Sequence, residues 1–88
     1  MKNKYLLNQG FITQKVGNEI AIFSAKSSIL FTLNETAIII FQGIKMGWPE
    51  DRIVNRLVNL FQIDKKIASK DTKKFINILL KKEIIVKK

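Results

Sequence analysis

The side chains that carry most enzymatic chemistry are absent from this 88-residue chain. It has no Cys and no His, which excludes disulfides, zinc fingers, iron–sulfur ligation, most transition-metal sites and nucleophiles activated by imidazole. Carboxylate chemistry is what remains. The seven acids (Glu19, Glu35, Glu50, Asp51, Asp64, Asp71 and Glu83) are scattered, with no paired spacing for acid–base work and no DxDxDG-like run to cage calcium. No catalytic residue, metal ligand or cofactor site is assigned, and the expectation is a protein that is not an enzyme. The residues that can act are cations. Sixteen Lys and Arg against seven acids give +9, a charge suited to nucleic acid, an anionic membrane or an acidic partner. Only Arg52 and Arg56 are Arg, and the Lys, Ile and Asn usage is that of an AT-rich genome, so part of the basicity reflects codon bias. Its distribution says more. Residues 65–88 hold nine Lys with Asp71 and Glu83, a net +7, whereas residues 1–64 carry only +2.

The elements that position these cations follow from hydrophobic periodicity. With 47% hydrophobic and 26% charged residues the chain can form a core, but its length allows a single small domain and disfavours a deep cavity. The apolar stretch after the basic start is broken by Asn8, Gln9 and Gly10, too soon for a signal peptide, and the longest apolar run, Ala37 to Phe41, is far short of a membrane span. The expectation is a cytoplasmic protein with no membrane partner. Residues 1–10 read as a flexible N-terminal arm and residues 11–88 as the folded domain. Phe11 to Val16 form a first strand, Gly17-Asn18 a two-residue turn of type II′ or I′, and Glu19 to Ala25 a second strand. After a polar break at Lys26-Ser27, Ile29, Phe31 and Leu33 share one face of a third strand.

Beyond Leu33 the period changes from two to about 3.6. Asn34 caps a helix over about 35–46, Pro49 with Glu50 and Asp51 opens a second that runs to about Gln62, and Asp64 caps a third over about 65–82. The third carries Ala68, Thr72, Phe75, Ile76 and Leu79 on one side. Ile78 and Leu80 lie on its two flanks, more apolar surface than one core stripe needs. Ile84-Ile85-Val86 is too apolar for a free tail and packs back. The layout is α+β and winged-helix-like: a three-stranded antiparallel sheet followed by three helices.

Where the third strand runs into the first helix, the residues Leu33-Asn34-Glu35-Thr36-Ala37 begin an ordered series. It continues through Gly47, Glu50-Asp51-Arg52-Ile53-Val54, Phe75-Ile76-Asn77-Ile78-Leu79 and Ile84-Ile85. Over about residues 11–86 this series resembles the PqqD family. The resemblance implies a RiPP recognition element, a module that binds the leader of a ribosomally made precursor peptide and delivers it to a maturation enzyme. That enzyme would be a radical-SAM protein, a cyclodehydratase or a lasso-peptide peptidase. It also implies that the leader adds as a strand beside the third strand, in a cleft walled by the last helix. One departure is Glu83, where the family often has Gly before the closing apolar pair.

The residues can carry that role. An edge strand offers unpaired backbone groups that an extended peptide satisfies with little dependence on sequence. Ile29, Leu30, Phe31, Thr32 and Leu33 supply this edge; Ile29, Phe31 and Leu33 are expected to face the core, which leaves Leu30 and Thr32 as side-chain contacts. Thr72, Lys73, Ile76, Leu79 and Leu80 supply the helical wall. The competing reading of the apolar flanks is that Ile84 to Val86 or Tyr5-Leu6-Leu7 covers them. Lys73, Lys74, Lys81 and Lys82 each read as solvated surface, and together could steer an acidic leader. Trp48 is expected to pack over the second helix from its turn. The alternative function is a small basic winged-helix DNA-binding protein. Against it, the third helix lacks the Arg, Asn and Gln side chains that read bases, apart from Asn77, and the hairpins carry only Lys15 and Lys26. A long exposed edge strand could also pair with itself, so a homodimer is possible.

Overall fold

The computed structural model describes residues 5–24 and 29–87, with the side chains of residues 29–31 outside that description. The expected break at Lys26-Ser27 and the first four residues of the expected arm also lie outside it. Strands β2 (Phe11–Val16), β3 (Glu19–Ser24) and β4 (Ile29–Leu33) form an antiparallel sheet in the order β2-β3-β4. Gly17 has φ 63° and Asn18 is not in the left-handed region, so the turn that closes the first hairpin is of type II′, the geometry for which Gly is suited at the first central position. Strand β3 pairs with β2 without a break, but its register with β4 shifts between Ile22 and Phe23: Ile22 faces Phe31 and Phe23 faces Ile29, which leaves Leu30 as the extra residue. The strict alternation expected across Ile29 to Leu33 is therefore interrupted at Leu30.

The helices are α1 (Glu35–Lys45), α2 (Glu50–Phe61) and α3 (Lys65–Lys81). Asn34 caps α1 by accepting from the Ala37 N–H at 2.9 Å, and Asp64 caps α3 by accepting from the Lys66 N–H at 3.1 Å. Pro49 sits at the N-cap of α2, one residue before the first helical turn where the sequence places it. Helix α1 ends in a Schellman turn: Trp48 N–H donates to Gly43 O at 2.9 Å and Gly47 N–H to Ile44 O at 3.0 Å, with Gly47 at φ 77°. Phe41, Ile44, Ile53, Leu57 and Leu79 lock the three helices together, and Ile22 and Leu33 bring the sheet onto them. Gly43 permits the α1–α2 approach, because a Cβ there would lie 2.7 Å from Ile53 Cγ1.

The ends of the chain meet. Tyr5–Leu7, which the sequence assigns to the arm, form β1, and Ile85–Lys87 form β5; the two pair antiparallel with Leu6 opposite Val86. Tyr5, Ile84 and Ile85 are buried, and Asn8 pins the junction by donating its N–H to Ile84 O and its Nδ2 to Glu83 O, both at 2.8 Å. Glu83 itself lies at φ 61° as the left-handed residue of a second Schellman turn, with Ile84 N–H donating to Leu79 O at 2.9 Å and Glu83 N–H to Leu80 O at 3.0 Å. The departure at Glu83 therefore falls on a position where Gly costs nothing sterically.

Candidate functional site

Strand β4 is an edge. Among the described residues it pairs with β3 alone, so one row of its backbone groups is open. Alternation along the sheet says which groups these are. The two-residue turn closes on a hydrogen-bonded Val16–Glu19 pair, after which Glu19, Ala21 and Phe23 address β2 while Ile20 and Ile22 address β4. Leu33 faces Ile20 and Phe31 faces Ile22, so both turn their backbone groups inward. Thr32, opposite Ala21, turns its N–H and C=O to the open side, and its side chain is exposed.

The edge runs into a cleft through Asn34. A cavity of about 280 Å³ lies between the first turns of α1, represented by Asn34, Thr36, Ala37 and Ile40, and a stripe of α3 formed by Asp71, Lys74, Phe75 and Ile78. The spacing of those four α3 residues puts them on one helix face, adjacent to the core stripe of Ala68, Thr72, Ile76 and Leu79. Ala37, Ile40, Phe75 and Ile78 supply apolar walls, while Asp71 and Lys74 add one charge of each sign. The volume is below the usual range of small-molecule sites and matches one or two side chains.

This geometry changes the helical wall expected from the sequence. Thr72, Ile76 and Leu79 are exposed by only 0–2% and belong to the core, so their side chains offer a ligand almost no surface. Lys73 and Leu80 lie on the opposite flank, where they line a separate hollow with Tyr5, Ile76, Asn77 and Lys87. The core occupies the stripe of Ala68, Thr72, Ile76 and Leu79, and the cleft beside α1 opens about one helical position to the side of it. Of the two apolar flanks, the one with Leu80 is shielded by the β1–β5 ends, as the competing reading held, and the one with Ile78 stays open at 38% exposure. The signal that finds Phe75 and Ile78 was present in the sequence as their i, i+3 spacing beside the core stripe. On the edge strand Leu33 is buried as expected and Thr32 is exposed, while the side chains of Ile29, Leu30 and Phe31 lie outside the described residues.

Cations surround the approach to α3. Lys65, Lys66, Lys70 and Lys73 border a broad depression with Asp64 and Ser69 near the start of the helix. Far from the cleft, Trp48 packs half-buried against the core with the Arg52 guanidinium 4.2 Å from its ring centre, the turn role expected of it. No group of three or more acids that could hold a metal ion occurs among the described residues, and no helix there is long and apolar enough to cross a membrane.

The domain is winged-helix-like and α+β, with an open edge strand that leads into an interhelical cleft. The family model for Coenzyme PQQ synthesis protein D (PqqD) matches residues 19–85, and the chain belongs to that family. The match spans both halves of the site, from β3 to the closing strand. Two solved structures share the fold. One, described as "TbiB1 in Complex with the TbiA(beta) Leader Peptide", is 16% identical over 91% of this chain and 93% of that one, with a TM-score of 0.80. The other, "Lasso peptide synthetase B1 complexed with the leader peptide", is 14% identical over 94% of this chain and 98% of that one, with a TM-score of 0.85. No curated protein matches the sequence.

Proposed function

We propose that this chain is a stand-alone RiPP recognition element, which binds the leader of a precursor peptide by strand addition to β4 and delivers it to a separate maturation enzyme. The observation that carries the reading is the open β4 edge continuing into the apolar cleft between α1 and α3. Main-chain pairing at Thr32 supplies affinity that depends little on sequence, and the cleft selects one or two apolar leader side chains. Membership of the PqqD family and the leader-bound state of both structural neighbours support it. The maturation enzyme would be a radical-SAM protein or another RiPP enzyme, and the site of action the cytoplasm. The chain itself supplies no catalytic group, because its role is to hold a peptide.

The contacts proposed are the outward backbone groups of the Ile29 to Leu33 strand, those of Thr32 above all, and the side chains of Thr32, Ala37, Phe75 and Ile78. Lys73 and Lys74 steer an acidic leader, raising the association rate more than the affinity. Thr72, Ile76, Leu79 and Leu80 act by setting the position of α3. DNA binding has no comparable support: the exposed side of α3 carries Asn77 but no Arg or Gln to read bases. Self-pairing through β4 would compete with the leader for the same backbone groups.

The test uses synthetic peptides covering the N-terminal halves of the short reading frames that flank the gene, titrated into isotope-labelled protein. Amide shifts should concentrate in Ile29 to Leu33 and in residues 71–78 of α3. Shifts spread over Lys residues alone, reproduced by a random DNA duplex, would overturn the proposal.

A further inference from the structure

The sheet has a second open edge, and its properties differ from those of β4. Among the described residues β2 pairs with β3 alone, over six residues in continuous register from Phe11–Ser24 to Val16–Glu19. Natural edges are commonly blunted by bulges, Pro or several charges. Strand β4 has its register shift at Leu30, whereas β2 has no shift and no Pro, and Lys15 is its one charged residue. Two of its apolar side chains, Ile12 and Val16, are 59% and 56% exposed. They lie on one face of the strand, with Gln14 between them.

That pattern is complementary to itself. By the alternation derived above, Thr13 and Lys15 turn their N–H and C=O groups to the open side of β2, and Ile12, Gln14 and Val16 turn theirs to β3. A two-fold axis through Gln14 then pairs Thr13 with Lys15 of a second copy, and Lys15 with its Thr13, so that the outward groups meet in hydrogen-bonded pairs. The same axis sets Ile12 against Val16 of the other copy twice over, with the two Gln14 side chains adjacent between them. Two-fold registers through Thr13 or Lys15 would set Ile12 or Val16 against Gln14, and one through Ile12 would set Ile12 against itself and leave Val16 unpaired, so only the Gln14-centred register pairs both apolar side chains. We infer that a second copy of this chain docks antiparallel along β2 in the Gln14-centred register, which joins two sheets into one of six strands. Both β4 edges then lie at the outer rims, so self-association leaves the proposed leader edges free. The inference stands on β2 and does not require that reading of β4.

The contact is small, about 1,000 Å² or less, in the range of weak and transient association. It is also opposed by the +9 charge on each copy, so screening by salt strengthens it. Sedimentation velocity on the whole chain, from about 10 μM to about 1 mM, should show a reversible monomer–dimer equilibrium in the weak regime. The dimer fraction should rise between about 0.05 and about 0.5 M salt. Thr13→Pro removes an outward N–H that β3 does not use, and Ile12→Lys places a charge in the apolar pair; each should weaken association about tenfold or more. Ile12 is exposed in the monomer, so its variant keeps the test valid if Thr13→Pro does not fold. Thr32→Pro should leave the dimer intact. A monomer at every concentration and salt would overturn the inference, and so would a dimer lost in Thr32→Pro but kept in Ile12→Lys.

Discussion

Replacing Thr32 by Pro isolates the contribution of the β4 edge. Thr32 lies opposite Ala21 in a non-hydrogen-bonded pair, so its N–H points away from β3 and the substitution removes no bond of the existing ladder. Pro is tolerated at an edge whose N–H faces solvent, and the preceding residue, Phe31, is already in a strand, as a residue before Pro prefers. The stability cost should stay below about 1 kcal/mol, or a few degrees in Tm for a domain of this size. Binding suffers more. The bound leader loses one backbone hydrogen bond, worth about 0.5–1.5 kcal/mol, and keeps a carbonyl without its donor, which costs about 1–3 kcal/mol when buried. Because the edge stays partly open to water, the low end applies, and about 2 kcal/mol corresponds to a roughly 30-fold rise in Kd. Fluorescence anisotropy with a labelled leader peptide measures it. Thr32→Val, which keeps the N–H, should bind within about twofold of the parent chain. A folded Thr32→Pro that binds as tightly as Thr32→Val would refute strand addition at this position, whatever its effect on stability.

Other substitutions separate the cleft from the scaffold. Ile78→Glu places a charge on the open wall of the cleft; leader affinity should fall about tenfold while stability changes little, since Ile78 is 38% exposed and helical. Glu83→Gly should stabilise the domain by about 0.5–1 kcal/mol in urea denaturation, because the left-handed conformation at φ 61° costs a side-chain-bearing residue about 1–2 kcal/mol and Gly recovers most of it. Gly43→Ala should destabilise by about 1–2 kcal/mol: helix propensity favours Ala by about 1 kcal/mol, but the new Cβ meets Ile53 Cγ1 at 2.7 Å in a filled core. Thr72→Val should raise the denaturation midpoint by about 1–2 kcal/mol of stability, since the buried Oγ1 has no hydrogen-bond partner; an unchanged or lower midpoint would show that the hydroxyl is satisfied.

The elements that rest on local periodicity were legible in the residues. Phe11 to Val16 and Glu19 to Ala25 are strand-like runs parted by the turn residues Gly17-Asn18, Ile29, Phe31 and Leu33 repeat with period two, and the three helices carry their caps at Asn34 and Asp64 and their stop at Gly47 in the chain itself. The β4 edge followed from counting strands, and exposed Thr32 and buried Leu33 from parity. The register shift at Leu30 was not legible, because a bulge depends on how two strands meet. Strand β1 is too short to show a period; it exists because Ile85–Lys87 lies beside it, some 80 residues away along the chain.

The composition decided which chemistries are closed to this protein, since without Cys, His or clustered acids there is no group to perform them. The order of the periodic segments gave a third strand at the edge of its sheet, and the family resemblance implied that the last helix stands beside it. Only the tertiary structure decided which side of that helix borders the cleft. A helix with apolar residues at 75, 76, 78, 79 and 80 can be turned through tens of degrees and still bury a stripe. The β1–β5 ends close over the side with Leu80, and α1 stands away from the side with Phe75 and Ile78. Periodicity measures how much of a helix is apolar, but the rotation of the helix is set by the neighbours that compete for its faces, and those neighbours come from both ends of the chain.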